Sequence, residues 1–81
     1  MYYVYILKSR KNGRQYIGLT GRKVEERLAE HNSGKSQFTR RNATFDLIYF
    51  EEHPEKNFAV KRERFFKTGH GREYLKKLIP L

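Results

Sequence analysis

Five polar side chains have the types and spacing needed for chemistry at a phosphodiester. They are two tyrosines, an arginine with a histidine four residues later, and a glutamate: Tyr5, Tyr16, Arg27, His31 and Glu63. Phosphodiester hydrolysis needs a base for water, a cation or metal ion against the transition-state charge, and stabilisation of the leaving oxygen. The chain has no cysteine, no G-x-S-x-G motif, no glycine-rich phosphate loop and no cluster of histidines or carboxylates for several metal ions. Other common catalytic machineries are therefore disfavoured.

The two tyrosines belong to a predicted β-hairpin at the start of the chain. Aromatic-rich apolar runs over residues 2–7 and 15–19 flank a polar segment that contains Asn12-Gly13. An Asn-Gly pair between two such runs is a strong hairpin signal. Because tyrosine is a preferred strand residue, the hairpin alone favours an ordinary structural role for both phenols.

The register of this hairpin decides whether the two phenols meet. Side chains alternate between the faces of a strand, so Tyr5 and Leu7 share one face. A two-residue turn would pair Ser9 with Tyr16 and leave Tyr5 roughly 13 Å away along the strand. We therefore expect a wider loop over residues 8–14, which pairs Tyr16 close to Tyr5 or Leu7.

A predicted helix over residues 22–31 positions the arginine and the histidine. Val24 and Leu28 define its buried stripe, and Arg27 and His31 lie along one edge of that stripe. Packing of the stripe on the hairpin would therefore aim Arg27 and His31 along the sheet surface. The alternative is an arginine whose stem packs while its head reaches water, beside a partly buried histidine.

Glu63 flanks a stripe of phenylalanines in a second predicted helix, residues 55–67. A buried carboxylate without a partner is costly, so Glu63 is expected either in a salt bridge or in a functional role. The salt-bridge candidates are Arg62, Lys67 and Arg27. The functional alternatives are a metal ligand or a general acid or base, and one carboxylate suffices to hold a hydrated Mg²⁺. Arg62 falls near the middle of the stripe, which packing alone does not explain.

The remaining segments complete one small domain over residues 1–81. The predicted segments are a basic loop over 34–44, a third strand over 45–51, a helix break at 69–71 and a short basic helix over 72–81. The order β-β-α-β-α-α indicates an α/β protein of the α+β type, with a small, largely antiparallel three-stranded sheet flanked by helices.

The charge of the chain is strongly positive, with 18 Lys and Arg against nine Asp and Glu. Such a balance is typical of proteins that bind a polyanion, because neutralised phosphates release counterions. An anionic membrane would require a broad basic amphipathic helix, and that pattern is weak here. The absence of cysteine, of a signal peptide and of a membrane-length apolar run predicts a cytoplasmic protein. The residues expected to contact nucleic acid are Gly18, Arg22, Lys23, Lys35, Arg40 and Arg41. Gly18 is included because a missing side chain would let a phosphate approach the sheet.

Several short motifs occur in order along nearly the whole chain. They are Tyr3-Val4-Tyr5, Tyr16-Ile17-Gly18, Arg27 and His31 within EERLAEH, and Glu63 within KRERFFK. Together with HNSGK followed by TRR, and KTGHGREYLKKLI near the end, they resemble the GIY-YIG nuclease superfamily, specifically its small stand-alone UPF0213-like members. The second motif matches literally, whereas Tyr3 replaces the glycine of the first motif and Leu19 stands where some members carry a lysine.

The resemblance implies a metal-dependent endonuclease that hydrolyses DNA, in repair or recombination of structured DNA. It implies Tyr5 as the general base, Tyr16 as its hydrogen-bonding neighbour and Arg27 as a ligand of the scissile phosphate. His31 would assist proton transfer or bind phosphate. Glu63 would hold one divalent metal ion, Mg²⁺ or Mn²⁺, that stabilises the departing 3′ oxygen. Because a phenol is a weak base at neutral pH, Arg27 and the basic surroundings are expected to lower the pKa of Tyr5.

A nucleic-acid-binding module that retains the fold without cutting is the alternative function. The half-buried position expected for Glu63 favours the enzyme, because binding alone has no use for such a carboxylate. A chain of 81 residues also has little room for sequence recognition. A partner protein, a homodimer or the shape of the DNA is therefore expected to supply specificity.

Overall fold

The computed structural model describes residues 1–34 and 40–79 in full, together with the backbone of residues 37–39. The elements in chain order are β1 (Tyr2–Ser9), β2 (Gln15–Thr20), α1 (Val24–Asn32), α2 (Gln37–Asn42), β3 (Phe45–His53), α3 (Lys56–Phe66) and α4 (Gly69–Leu78). None of these helices has the length and the apolar character of a membrane span.

The three strands form an antiparallel sheet in the order β2-β1-β3. This arrangement confirms the predicted α+β class. The central strand β1 directs Val4 and Ile6 to one face and Tyr5 and Leu7 to the other, and all four side chains are buried. Helices cover both faces of the strand, which explains why this part of β1 is continuously apolar instead of alternating.

The two faces of the sheet carry separate cores. On the Val4 face, α3 and α4 contribute Ala59, Phe66 and Leu75. On the Tyr5 face, α1 contributes the buried Val24, with Leu28 packed beside it. The predicted stripe of α1 therefore does face the sheet, and it fixes the side of the sheet over which the polar edge of α1 lies.

The loop of the β1–β2 hairpin spans five residues, 10–14, and confirms the prediction of a wide connection. The amide of Ser9 donates to the carbonyl of Arg14 over 2.8 Å. Within the loop, the Ser9 hydroxyl accepts a hydrogen bond from the Lys11 amide over 3.1 Å. The Asn12 side chain donates to that of Asn42 over 2.6 Å. Asn12 is thus used to attach the loop to the end of α2, and the tight Asn-Gly turn does not form.

Two helices differ from the sequence-based expectation. The segment 34–44, predicted mainly as loop, contains α2. The helix break predicted at 69–71 lies instead at Lys67 and Thr68, between the end of α3 and the start of α4 at Gly69. The Thr68 hydroxyl caps the first turn of α4 by accepting from the Gly71 amide over 3.0 Å. Gly71 also permits close helix packing, since a Cβ there would lie 1.8 Å from the carbonyl oxygen of Phe65.

A polar cluster on the α3 side of the sheet explains the position of Arg62. The Arg62 guanidinium donates two hydrogen bonds, of 2.6 and 3.0 Å, to the Glu51 carboxylate. It also lies 4.5 Å from the ring centroid of Phe66. Although burial opposes ionisation, hydrogen bonds from Arg62, Tyr49 and His53 lower the pKa of Glu51 to about 2. Arg62 therefore joins α3 to β3 and does not belong to the predicted site.

Candidate active site

Tyr5 and Tyr16 lie on the same face of the sheet, beneath α1. The β1–β2 register places Tyr16 opposite Leu7 and Tyr5 opposite Gly18. The two phenol rings have centroids 6.3 Å apart. The wide hairpin loop therefore brings the tyrosines together as expected.

Helix α1 adds His31 to the two tyrosines. The His31 Nε2 atom lies 3.0 Å from the Tyr5 hydroxyl oxygen, and the His31 ring centroid lies 4.7 Å from that of Tyr16. Tyr5 is only 1% exposed and His31 only 6%, so their polar atoms are shielded from bulk water and satisfy one another. We call Tyr5, Tyr16 and His31 the tyrosine–histidine cluster.

Gly18 is required by the position of Tyr5. A Cβ at Gly18 would lie 2.3 Å from Cζ and 2.4 Å from the hydroxyl oxygen of Tyr5. The space above Gly18 is therefore filled by the phenol and is not open to a phosphate. The prediction that a phosphate approaches the sheet at Gly18 is therefore wrong, and the glycine instead lets the Tyr5 ring lie across β2.

The protonation of the cluster also differs from expectation. Burial raises the pKa of Tyr5, and the hydrogen bond and positive charge of Arg27 do not offset this effect. The prediction that the basic surroundings lower the pKa of Tyr5 is therefore wrong for the free protein. Burial, followed by the charge of Arg27, lowers the pKa of His31. At neutral pH the imidazole is thus uncharged, and its Nε2 can accept the hydrogen bond that the Tyr5 hydroxyl donates.

Arg27 lies within electrostatic reach of the cluster and is itself held by a carboxylate. Its Nη1 atom lies 2.7 Å from Glu30 Oε2. The second oxygen of Glu30 binds Arg22, which also pairs with Glu26 at 3.4 Å. Glu30 therefore joins Arg27 to Arg22, a predicted nucleic-acid contact, so that two guanidinium groups share one carboxylate.

Glu63 faces a cavity of about 270 Å³ at the outer edge of β2, which we call the Glu63 cavity. Tyr16 lines the same cavity, so the structure brings Glu63 beside the tyrosine–histidine cluster. Among its three predicted salt-bridge partners, Lys67 is the one that pairs with it, at 3.8 Å. The negative charge of Glu63 is also close enough to contribute to the raised pKa of Tyr5.

The donor set at Glu63 suits a hydrated divalent ion. Within residues 1–34 and 37–79, no group of three or more His, Cys, Asp and Glu side chains is placed to hold a metal ion. Mg²⁺ commonly binds through one or two carboxylates and keeps several waters. A half-buried carboxylate that opens on a cavity of about 270 Å³ fits that mode.

The other predicted nucleic-acid contacts lie outside this arrangement. Lys23, Arg40 and Arg41 are exposed, Lys23 just before α1 and the two arginines on α2. The Arg40 Nε atom donates to the carbonyl of Gly34 over 3.2 Å. Lys35 lies outside the described residues.

Sequence reasoning missed Arg72, which lines the Glu63 cavity together with Gln15 and Ile17. The sequence placed Arg72 at the start of a basic surface helix. Its approach to α3 depends on Gly71, which fits against the carbonyl of Phe65. The glycine immediately before the arginine was the available signal, because close backbone packing requires glycine.

Comparison with known proteins identifies the family. Residues 1–77 match the family model described as the GIY-YIG catalytic domain. A UPF0213 protein from Staphylococcus haemolyticus is 38% identical over 76 residues, which cover 93% of this chain and 90% of that protein. A UPF0213 protein from Streptococcus sanguinis is 39% identical over 66 residues, which cover 80% and 74% respectively. The solution NMR structure of the UPF0213 protein BH0048 from Bacillus halodurans is 33% identical and has a TM-score of 0.57, covering 96% of this chain and 85% of that chain. The chain therefore belongs to the GIY-YIG family, and the relatives compared with it here are UPF0213 proteins.

Proposed function

We propose that this protein is a metal-dependent endonuclease that hydrolyses phosphodiester bonds in DNA. The observation that carries the proposal is the hydrogen bond of 3.0 Å between the buried Tyr5 hydroxyl and His31 Nε2, next to a cavity lined by Tyr16 and Glu63. Membership of a family defined by a catalytic domain supports a nuclease. A binding surface alone would not need a buried phenol–imidazole pair beside a half-buried carboxylate.

The Tyr5–His31 pair is proposed to take the proton of the attacking water. As the water oxygen bonds to phosphorus, its proton moves to the Tyr5 oxygen and the Tyr5 proton moves to His31 Nε2. The bond between phosphorus and the 3′ oxygen breaks, and that oxygen takes a proton from solvent. Because burial raises the pKa of Tyr5, a phenolate would be costly, and a neutral imidazole within hydrogen-bond distance makes the phenol usable as a base.

Arg27 is proposed to bind the scissile phosphate and stabilise its charge in the transition state. In the free protein its guanidinium is held by Glu30 over 2.7 Å. A phosphate that enters would compete with Glu30 for this guanidinium, and a planar guanidinium can bind phosphate oxygens with two hydrogen bonds. Tyr16, which lines the cavity, is proposed to orient the water through its hydroxyl.

Glu63 is proposed to hold the divalent ion. Glu63 would hold Mg²⁺ or Mn²⁺ there, and the positive charge of the ion would stabilise the departing 3′ oxygen. To bind the metal ion, the Glu63 carboxylate must give up its ion pair with Lys67. The 3.8 Å between their charged atoms is longer than a direct hydrogen bond. The positive charge of the chain, with 18 Lys and Arg against nine Asp and Glu, supports DNA as the substrate. A DNA substrate in turn fits the expected cytoplasmic location.

A plasmid-nicking assay with a matched pair of variants tests this function. Wild type should nick supercoiled DNA only when Mg²⁺ or Mn²⁺ is present, and Glu63→Gln should lose at least about 100-fold in rate, as expected when charge stabilisation at the reacting atoms is removed. Glu73→Gln is the control, because Glu73 is exposed on α4 and pairs only with Lys76 among the described residues. Wild-type protein that binds DNA but cuts neither plasmid nor branched substrates with any divalent ion would instead support a non-catalytic binding module.

A further inference from the structure

A second cavity, of about 490 Å³, lies between β2 and α4. Besides Gln15, it is lined by three apolar side chains, Ile17, Leu75 and Ile79, and by three basic ones, Arg14, Arg72 and Lys76. We call the apolar set its floor and the basic set its rim. Ile17 and Arg72 also line the Glu63 cavity. The two cavities are therefore neighbours along the outer edge of β2, and we call the larger one the β2–α4 cavity.

The charges on the rim of the β2–α4 cavity are largely uncompensated. Within the described part of the chain, neither Arg14 nor Arg72 forms an ion pair. Lys76 pairs with Glu73 at 3.2 Å, and both side chains are highly exposed. Unpaired guanidinium groups around an apolar floor complement a ligand with a flat apolar body and negative charges on either side, which is the chemistry of a nucleotide within a strand.

We propose that the β2–α4 cavity binds one unpaired nucleotide next to the scissile phosphate, with its base on the apolar floor and its phosphates on Arg72 and Arg14. This inference rests on the proposed function, because the neighbouring Glu63 cavity is taken as the site of cleavage. A volume of about 490 Å³ lies within the usual range of ligand pockets, about 300–1,000 Å³.

The cavity also indicates which DNA the protein selects. In a duplex the faces of each base are stacked on their neighbours, so a base can enter a pocket only if it is unpaired or turned out of the helix. The preferred substrates are therefore single strands, or duplexes with a flap, gap or bulge, in which an unpaired nucleotide adjoins the cleaved bond.

The test is a binding titration in EDTA followed by NMR, which is independent of cleavage. The two ligands are a thymidine oligonucleotide and an oligomer of the same length in which every sugar is abasic, so that they carry the same phosphates. The thymidine oligomer should bind about tenfold more tightly, because its base adds burial of apolar surface on the cavity floor to the phosphate contacts that both oligomers make. It should also shift the methyl signals of Ile17 and Ile79, which line the cavity.

Charge-reversal variants identify the cavity as the site. Arg72→Glu should weaken the binding of both oligomers and abolish the methyl shifts of Ile17 and Ile79, because Arg72 would hold a phosphate beside the apolar side chains. Lys77→Glu, a charge reversal on α4 outside the cavity, should preserve these shifts. Arg14→Glu, in the hairpin loop, provides a second variant if the signals of Arg72→Glu show an altered fold.

Three outcomes would overturn the proposal. Equal affinity for the two oligomers would mean that the protein binds only their phosphates and that the cavity does not bind a base. Methyl shifts confined to the α1 face would place the strand elsewhere. Equal shifts caused by an acidic peptide of the same net charge would indicate a protein partner. Failure of the proposed nuclease activity is distinguishable, because it would abolish nicking while leaving this metal-free preference for bases intact.

Discussion

The substitution Gly18→Ala should displace the Tyr5 phenol and leave the rest of the fold in place. The added methyl group would lie 2.3 Å from Tyr5 Cζ and 2.4 Å from its hydroxyl oxygen. Ordinary contacts between such atoms are about 3.5–4.0 Å, so the ring must move by more than about 1 Å. That movement breaks the hydrogen bond of 3.0 Å to His31.

The expected size of the effect follows from this displacement. Overpacking of a buried site costs about 1–3 kcal/mol, which would lower the melting temperature of a domain of this size by about 4–8 °C for each kcal/mol. A misplacement of about 1 Å at reacting groups costs about 100-fold in rate. Gly18→Ala should therefore fold at low temperature but nick DNA about 100-fold more slowly than wild type.

Gly21→Ala is the matched control for this experiment. A Cβ at Gly21 would approach no atom closer than 3.4 Å, the nearest being on the Tyr2 ring. Both variants should be assayed for metal-dependent nicking at a temperature at which circular dichroism shows them folded. Cleavage by folded Gly18→Ala at a rate within about threefold of wild type would refute the reasoning, because the position of the Tyr5 phenol would then not matter.

Three further predictions concern pH and packing. The nicking rate should fall on acidification with a midpoint below pH 6.5, because the lowered pKa of His31 keeps the imidazole neutral above that midpoint. If the rate of His31→Gln fell on acidification with the same midpoint, this assignment would be contradicted. Glu51 has a pKa of about 2 in the folded protein, against an ordinary value of 4.5, so its ionised form should add up to about 3 kcal/mol to the free energy of unfolding. This contribution should be complete above pH 4.5 and should be lost as the pH falls towards 2. Urea unfolding between pH 2 and 6 should therefore show a steeper acid loss for wild type than for Glu51→Gln, and parallel curves would count against the Arg62 contact. Gly71→Ala would place a Cβ 1.8 Å from a carbonyl oxygen and should lower the free energy of unfolding in denaturant by at least about 2 kcal/mol. Gly69→Ala is the control, because a Cβ there would meet nothing within 4 Å, and it should change this free energy by less than about 1 kcal/mol. Equal effects of the two substitutions would refute the packing argument.

The sequence was sufficient to predict the sheet and the grouping of the tyrosines with His31. Alternation along β1 placed Tyr5 and Leu7 on one face, and the structure pairs Leu7 with Tyr16. The spacing of four residues between Arg27 and His31 set both on one edge of α1, which faces the same side of the sheet. These features depend on local periodicity, which sequence carries directly.

Features that depend on the balance of distant contacts were beyond the sequence. The pKa of Tyr5 results from burial opposed by Arg27, and sequence indicates which charges exist but not how deeply a phenol is buried. Helix α2 ends at Asn42, whose side chain binds Asn12 in the hairpin loop, a contact between residues 30 positions apart. The role of Arg72 likewise depends on how closely α4 approaches α3.

The most direct test of the central claim is cleavage of an oligonucleotide with an unpaired flap in water enriched in ¹⁸O, with Mg²⁺ or Mn²⁺ present. Attack of water on phosphorus with departure of the 3′ oxygen predicts a 3′-hydroxyl on one product and a 5′-phosphate that carries one ¹⁸O on the other. Glu63→Gln should form neither product at a comparable rate. Unlabelled phosphate in the products, or bound DNA that remains intact with every divalent ion tried, would contradict the assignment of this site to phosphodiester hydrolysis.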